Sequence, residues 1–142
     1  MRALLDVNVL IALLDADHTS HRAAWSWFQE HGRTGWASCP ITQNGCVRIL
    51  SHAGYPNPRS VAEVVERLRA ATGDAAHEFW PDSLSVLDDA IVDATRVHGP
   101  KQLTDVYLLA LAVRNNGRLV TFDAGTSLSA VRGAAPRHVV RL

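Results

Sequence analysis

The sequence is short of lysine, and its basic side chains are almost all arginine. Lys101 is the single lysine among 14 basic residues, and the other 13 are arginine. The planar guanidinium suits bidentate phosphate contacts, but GC-rich coding produces the same excess. The arginine content alone therefore identifies no ligand.

Cysteine is also scarce, and no apolar run is long enough to cross a bilayer. Cys39 and Cys46 lie seven apart in apolar surroundings, a spacing that fits neither a redox pair nor a zinc site. We therefore expect two buried, reduced thiols. The longest apolar stretch, 7–14, is interrupted by Asn8 and too short to span a membrane. We expect a cytoplasmic protein without a signal peptide or membrane segment.

The composition is that of one folded domain. The chain has 142 residues, of which 47% are hydrophobic and 20% charged, with a formal net charge of zero. A chain of this length builds a hydrophobic core without disulfides or metals, so we expect a single domain over residues 1–142. The charges are unevenly distributed, since residues 74–93 contain six acids and no Lys or Arg. From residue 94 onward seven basic residues surround two acids, and the candidate phosphate contacts among them are Arg114, Arg118, Arg132 and Arg137.

Short apolar segments alternate with helical patterns along the whole chain. Predicted strands lie near residues 4–5, 36–37, 78–80, 119–122 and 138–140, and one or two helices separate most of them. One predicted helix runs from about Ser85 to Val97, and another opens with Thr104 as its N-cap. This alternation predicts a three-layer α/β/α sandwich with a mostly parallel central sheet.

Three acids are placed so that this fold would bring them together. Asp6 and Asp123 each follow a predicted strand, and Asp105 lies in the first turn of the helix that Thr104 opens. The carboxyl ends of parallel strands meet at one edge of a sheet, where such folds bind their ligands. Converging carboxylates without a basic partner favour a hard divalent cation, so we predict a Mg²⁺ site. Such a site suits phosphodiester hydrolysis.

Each of these residues also has an ordinary structural explanation. Asp6 is a possible helix cap, Asp105 complements a helix dipole, and Asp123 precedes a turn. Asn8, two residues after Asp6, either orients that carboxylate or occupies the exposed side of a helix.

Four segments together resemble a known family, the PIN-domain ribonucleases, and within it the VapC-type toxins of toxin-antitoxin pairs. They are Leu5-Asp6-Val7-Asn8, the segment from Pro40 to Leu50, the segment from Gln102 to Leu108, and Thr121-Phe122-Asp123. The resemblance implies an α/β/α sandwich and an endoribonuclease that depends on Mg²⁺ or Mn²⁺. It implies that Asp6, Asp105 and Asp123 are the metal-site acids.

One position departs from the family pattern. Where many members have a glutamate in the helix after the second strand, this chain has Gln43. An amide still offers a carbonyl oxygen but removes one negative charge, so Gln43 is either a weakened site residue or a sign of reduced activity. Arg48, further along the same helix, is a candidate structural or RNA-contacting cation.

The resemblance also implies partners. It predicts a cognate antitoxin whose C-terminal segment covers part of the apolar surface of the first helices, a homodimer, and an RNA substrate such as tRNA or rRNA. An antitoxin arginine that reaches the acids would neutralise them without a metal.

Two other functions remain open from the sequence. A degenerate PIN-like module would bind RNA or a partner without cleavage, and Gln43 is its main support. A phosphoacceptor module of receiver type shares the strand-helix alternation, but it requires an acid pair after one strand and a lysine after another, which this chain does not have.

Overall fold

A five-stranded sheet lies at the centre of the protein, for which a computed structural model describes residues 1–142. All its strands are parallel, and they lie in the order β3-β2-β1-β4-β5. The strands are β1 (Ala3–Leu5), β2 (Trp36–Ser38), β3 (His77–Phe79), β4 (Arg118–Thr121) and β5 (Val139–Arg141). The predicted mostly parallel sheet is confirmed.

Helices cover both faces of this sheet, so the three central strands β1, β2 and β4 are buried on both sides. The helices are α1 (Val7–Leu14), α2 (His21–His31), α3 (Pro40–Leu50), α4 (Val61–Thr72) and α5 (Leu103–Arg114). Successive residues of β1 point to opposite faces, so Leu5 packs with α1 to α4 while Leu4 packs with α5. The result is the predicted three-layer α/β/α sandwich.

Local sequence signals set where two of these helices begin. Pro40 occupies the first position of α3, where its missing N–H costs nothing. The Ser60 hydroxyl accepts a hydrogen bond from the Glu63 N–H at 3.1 Å and caps α4, as its capping-box sequence predicts.

The helix predicted from Ser85 to Val97 is wrong. This stretch forms turns, one antiparallel bridge between Val92 and Val131, and a 3₁₀ turn at Ala94–Arg96. The Asp88 and Asp93 carboxylates accept hydrogen bonds from backbone N–H groups two residues further on. Such local bonds compete with a helix, and the bridge fixes the non-helical path.

The start of α5 also differs from its prediction. The helix begins at Leu103 and follows a 3₁₀ turn at Pro100–Gln102, so Thr104 is its second residue and not its N-cap. Gln102 occupies the cap position without a side-chain cap bond, because its Oε1 accepts the His98 N–H instead. None of the five helices combines the length and apolar character that a bilayer-spanning helix requires.

Candidate metal centre

Three carboxylates from distant parts of the sequence meet at the carboxyl edge of the sheet. Asp6 follows β1 and is the N-cap of α1, Asp105 lies in the first turn of α5, and Asp123 comes two residues after β4. One carboxylate oxygen from each lies within 4.8 Å of the other two. The convergence that the strand-end positions predict is therefore present in the fold.

Asp6 is buried, and both of its carboxylate oxygens accept a hydrogen bond. Oδ1 accepts the Val7 N–H at 2.7 Å, and Oδ2 accepts the Thr121 hydroxyl at 2.6 Å. Burial raises the pKa of this carboxyl, the two hydrogen bonds oppose that rise, and the charge of Asp123 adds to it. The side chain is consequently held in one orientation at the centre of the cluster.

Asp105 is half-buried, and no basic side chain compensates its charge. Burial raises the pKa of its carboxyl to about 6, and the charges of Asp6 and Asp123 contribute to the same rise. None of the four ion pairs in the protein includes any of these three acids. The cluster therefore has unneutralised negative charge at neutral pH.

Thr121 connects the cluster, and the sequence reasoning missed its role. Its hydroxyl donates to Asp6 and accepts from the Asp123 N–H at 3.0 Å and from the Asn8 amide at 3.4 Å. Asn8 also accepts the Phe122 N–H at 3.4 Å, so it supports Asp6 through Thr121 rather than directly. The available signal in the sequence was a hydroxyl residue, Thr121, which follows the apolar pair Leu119-Val120 and comes two positions before Asp123.

The other predicted site residues lie outside this cluster. The Gln43 amide donates to the Ser38 hydroxyl at 2.9 Å, and the side chain faces a cavity between α3 and α4. Arg48 is exposed near the end of α3 and lines a different surface depression with His52 and Tyr55. Thr104 is exposed and makes no side-chain hydrogen bond.

Two of the four basic residues proposed as phosphate contacts, Arg114 and Arg118, are distant from the acids. Arg118 begins β4 at the opposite edge of the sheet, where its guanidinium lies 5.6 Å from the centre of the Trp27 ring. Arg114 ends α5, about 13 Å along the helix from Asp105. Lys101, just before α5, and Arg141, paired in register with Thr121, share the edge with the acids.

The donor set fits a hard divalent cation. Mg²⁺ and Mn²⁺ prefer carboxylate oxygens and retain several waters, so Asp6, Asp105 and Asp123 are the residues that would hold such an ion. No sulfur or imidazole ligand belongs to the cluster, which argues against zinc. Burial is the main cause of the raised pKa of both Asp6 and Asp105, and the charges of neighbouring acids add to it.

Comparison with known families agrees with this geometry. The model of the PIN domain matches residues 3–133, which include all three acids. The chain belongs to the PIN-domain family. This match leaves the receiver-type alternative without support.

Curated relatives place this PIN domain among the VapC proteins. The chain is 54% identical to Ribonuclease VapC44 of Mycobacterium tuberculosis over 142 residues, which is all of both chains. It is 43% identical to Ribonuclease VapC39 of the same species over 134 residues, covering 94% of this chain and 96% of the relative. The resemblance to VapC-type toxins is therefore confirmed.

A solved structure shares the fold of this PIN domain. It is that of VapBC2 from Rickettsia felis bound to a DNA fragment from its promoter. The match has a TM-score of 0.57 at 12% identity and covers 87% of this chain and 88% of that chain. At this identity the likeness shows the fold alone.

Proposed function

We propose that the protein is an endoribonuclease toxin of a toxin-antitoxin pair and that its cofactor is Mg²⁺ or Mn²⁺. We also propose that it acts as a single PIN domain over residues 1–142. The observation that carries the proposal is the cluster of Asp6, Asp105 and Asp123, three converging carboxylates without a basic partner. The relatives named as ribonucleases support RNA as the substrate, with tRNA or rRNA as the first candidates.

The roles of the three acids follow from their surroundings. Asp6 is the fixed ligand, because Val7 and Thr121 hold its two oxygens. Asp105 is half-buried and Asp123 exposed, so these two form the side of the site that is open to substrate. A bound divalent cation supplies a polarised water and neutralises charge on the phosphodiester.

Asp105 also links cation binding to proton release. With a pKa of about 6 in the cation-free protein, its carboxyl is partly protonated in mildly acidic solution. A carboxylate must be deprotonated to bind a metal, so cation binding displaces this proton. The affinity for Mg²⁺ therefore falls as the pH drops below about 6.

The experiment is cleavage of total tRNA and rRNA by the antitoxin-free protein with Mg²⁺ or Mn²⁺, and with EDTA. The test variant is Asp105→Asn, and the matched control is Asp74→Asn, an exposed acid whose turn bond to the Ala76 N–H an asparagine also makes. We expect discrete fragments from the wild type and the control, and none with EDTA or Asp105→Asn.

Two results would contradict the proposal. Cleavage that persists in EDTA would remove the metal-dependent mechanism. RNA binding without cleavage, in a folded protein saturated with either cation, would support the degenerate module instead. Gln43, whose amide is bonded to Ser38 rather than to any of the acids, stays the main support for that alternative.

We also propose that an apolar groove between α1, α2 and α4 receives the antitoxin. It is lined by apolar side chains alone, among them Leu14, Trp25, Phe28 and Leu68. Trp25 is 45% exposed, a large aromatic surface to leave in water. The proposal is consistent with the R. felis structure, which is named as a complex of VapB and VapC.

Loss of antitoxin binding in a folded variant tests this groove. Trp25→Asp should abolish co-purification with the cognate antitoxin and leave RNA cleavage intact, whereas Gln29→Asp, an exposed change on the same helix, should affect neither. Unchanged antitoxin affinity in Trp25→Asp would place the interface elsewhere. A complex whose antitoxin leaves the acids uncovered would exclude inhibition by an inserted arginine.

The homodimer remains a proposal as well. The most exposed large apolar side chain is Leu87, at 88%, and with Leu103 it borders an apolar depression beside α5. This surface lies on the α5 layer, whereas the antitoxin groove lies on the layer of α1 to α4. One protein molecule can therefore bind the antitoxin and a second copy of the chain at the same time. We assign it to a second copy of the chain.

A further inference from the structure

A cavity of about 300 Å³ between α3 and α4, here called the α3/α4 cavity, has a wall that can form specific hydrogen bonds. Val47, Val65 and Leu68 form its apolar part, and Gln43, Arg69 and Thr72 are among its polar side chains. This volume is at the lower end for small-molecule sites, which fits one nucleotide-sized group.

A chain of hydrogen bonds fixes the orientation of the Gln43 amide. Its Nε2 donates to the buried Ser38 hydroxyl at 2.9 Å, and that hydroxyl lies 2.8 Å from His77 Nε2. The Ser38 hydroxyl has two lone pairs and accepts from Gln43 through one of them, and it donates its proton to His77 Nε2 when the neutral ring carries its own proton on Nδ1. Burial lowers the pKa of His77, and the ring also bonds the Thr72 carbonyl, which fits a neutral ring with its proton on Nδ1.

This arrangement leaves the Gln43 carbonyl oxygen as the group available to a ligand. The oxygen has no protein partner, while the side chain lines the cavity. Without the Ser38–His77 chain an amide presents its donor and its acceptor equally well. With it, Gln43 offers the cavity its carbonyl oxygen in a fixed position, next to the Asn44 amide on the same helix.

The α4 wall is complementary. Arg69 is exposed and pairs with Glu66 of the same helix, an exposed contact of small net value that a ligand can displace. Its guanidinium presents parallel donors to paired acceptors. The cavity therefore combines an acceptor on one side with a donor pair on the other.

We propose that the α3/α4 cavity binds a guanine base of the RNA substrate next to the cleaved bond, with Gln43 accepting from its N1–H and N2–H₂ edge and Arg69 donating to its O6 and N7 edge. Guanine presents donors and acceptors on separate edges in this way, and arginine is the usual partner of the O6/N7 pair. RNA-binding proteins commonly read unstacked bases of single-stranded segments.

The position of the cavity fits a flanking nucleotide. Gly45, on the opposite side of α3 from Gln43, lies against Val7, which is bonded to Asp6. The α3/α4 cavity is therefore about one helix diameter, or about 10 Å, from the acids. This inference rests on the proposed ribonuclease function, since it names a base of that substrate.

The first test needs neither metal nor cleavage. In EDTA, the antitoxin-free protein labelled with ¹⁵N and ¹³C is titrated by NMR with GMP, AMP, CMP and UMP, and the Gln43 amide and the Val65 and Leu68 methyls are followed. We expect GMP to shift these signals and to bind at least about tenfold more tightly than the other three. Gln43→Leu should abolish the GMP response, and Gln29→Leu, the same change on an exposed face of α2, should leave it unchanged.

The variant Ser38→Ala tests whether guanine recognition depends on the orientation of the Gln43 amide, because it keeps the Gln43 side chain and removes the hydroxyl that orients it. It frees the amide to rotate, so GMP should still bind while its advantage over AMP falls by about threefold or more. Equal responses to all four nucleotides, or none at the cavity in the wild type, would overturn the proposal. If the four nucleotides bound equally well and an antitoxin peptide that contacts Gln43 displaced GMP, the cavity would instead be a binding site for the protein partner.

The second test reads the cleavage products. In wild-type digests guanine should be enriched at one fixed position near the new ends, and Gln43→Leu should lose this enrichment while still cutting. Guanine binding without cleavage would contradict the ribonuclease function and leave the base site standing. Cleavage without guanine binding would contradict the base site and leave the ribonuclease function standing. The two proposals can therefore fail separately.

Discussion

Thr121 shows how one hydroxyl can determine the properties of a carboxylate cluster. Its single proton goes to Asp6, and its lone pairs accept from Asp123 and Asn8. Removing a group that orients a metal ligand typically costs about 10- to 100-fold in metal affinity.

We therefore predict that Thr121→Val, which keeps the shape of the side chain, weakens Mg²⁺ binding about tenfold or more. Isothermal titration calorimetry measures this affinity, and Thr34→Val, in an exposed turn, is the matched control. An unchanged affinity in Thr121→Val would show that Asp6 does not need this hydrogen bond.

Asp105 gives a prediction for stability as a function of pH. Its folded-state pKa of about 6 lies above the ordinary value of 3.8, so the folded protein holds this proton more tightly than the unfolded chain. The charged carboxylate thus destabilises the metal-free protein. The penalty is absent below about pH 4, grows as the pH rises to about 6, and is complete above that value.

Asp105→Asn should consequently raise the melting temperature in EDTA above pH 6, and by progressively less toward pH 4. Allowing for solvent screening at a half-exposed group, the gain is about 1 kcal/mol, or about 2–4 °C. Calorimetric scans from pH 4 to pH 8 measure it. Mg²⁺ should stabilise only the wild type, so a variant that responds equally to Mg²⁺ would contradict the assignment of Asp105 as a ligand.

At the scale of elements, α1 and α3 cross next to the acid cluster. A Cβ built on Gly45 would lie 2.7 Å from Val7 Cγ2, a distance at which either the Val7 side chain or one of the two helices must shift. Gly45 is therefore present because the two helices approach closely, next to the residue that bonds Asp6.

Gly45→Ala should destabilise the protein by about 1–2 kcal/mol, because overpacking at this crossing exceeds the gain of about 1 kcal/mol in helix propensity. Urea unfolding measures the loss, and the double variant Gly45→Ala with Val7→Ala should recover most of it. A stabilised single variant would mean that the crossing relaxes without cost.

The elements also show what the sequence can predict. Asp6 and Asp123 were located because short apolar strands end just before them, and this periodicity is a local signal. The segment 85–97 was wrongly predicted as a helix, because its path depends on the bridge between Val92 and Val131, almost forty residues apart in the chain. The position of Gln43 depends on Ser38 and His77, and no local pattern reports that contact.

At the scale of the whole molecule, the surfaces proposed for the two partners lie on opposite faces of the sheet. The antitoxin groove belongs to the layer of α1, α2 and α4, and the apolar surface at Leu87 belongs to the layer of α5. A change on one face should therefore leave the partner of the other face unaffected.

We predict that Leu87→Asp converts the homodimer to a monomer and retains the fold, since the side chain is 88% exposed. Light scattering after gel filtration measures the mass, and Val61→Asp, at an exposed aliphatic position on α4, should remain dimeric. A wild-type protein that is monomeric at high concentration would contradict the predicted homodimer itself.

The bond between Thr121 and Asp6 has a consequence for biosynthesis. Its two residues are 115 positions apart, and β1 lies in the sheet between β2 and β4. During synthesis Asp6 leaves the ribosome long before β4, the strand that contains Thr121, has been made. A domain can form its native contacts only after all the segments that take part in them have emerged. A nascent chain therefore has no assembled acid cluster until almost all of it is synthesised.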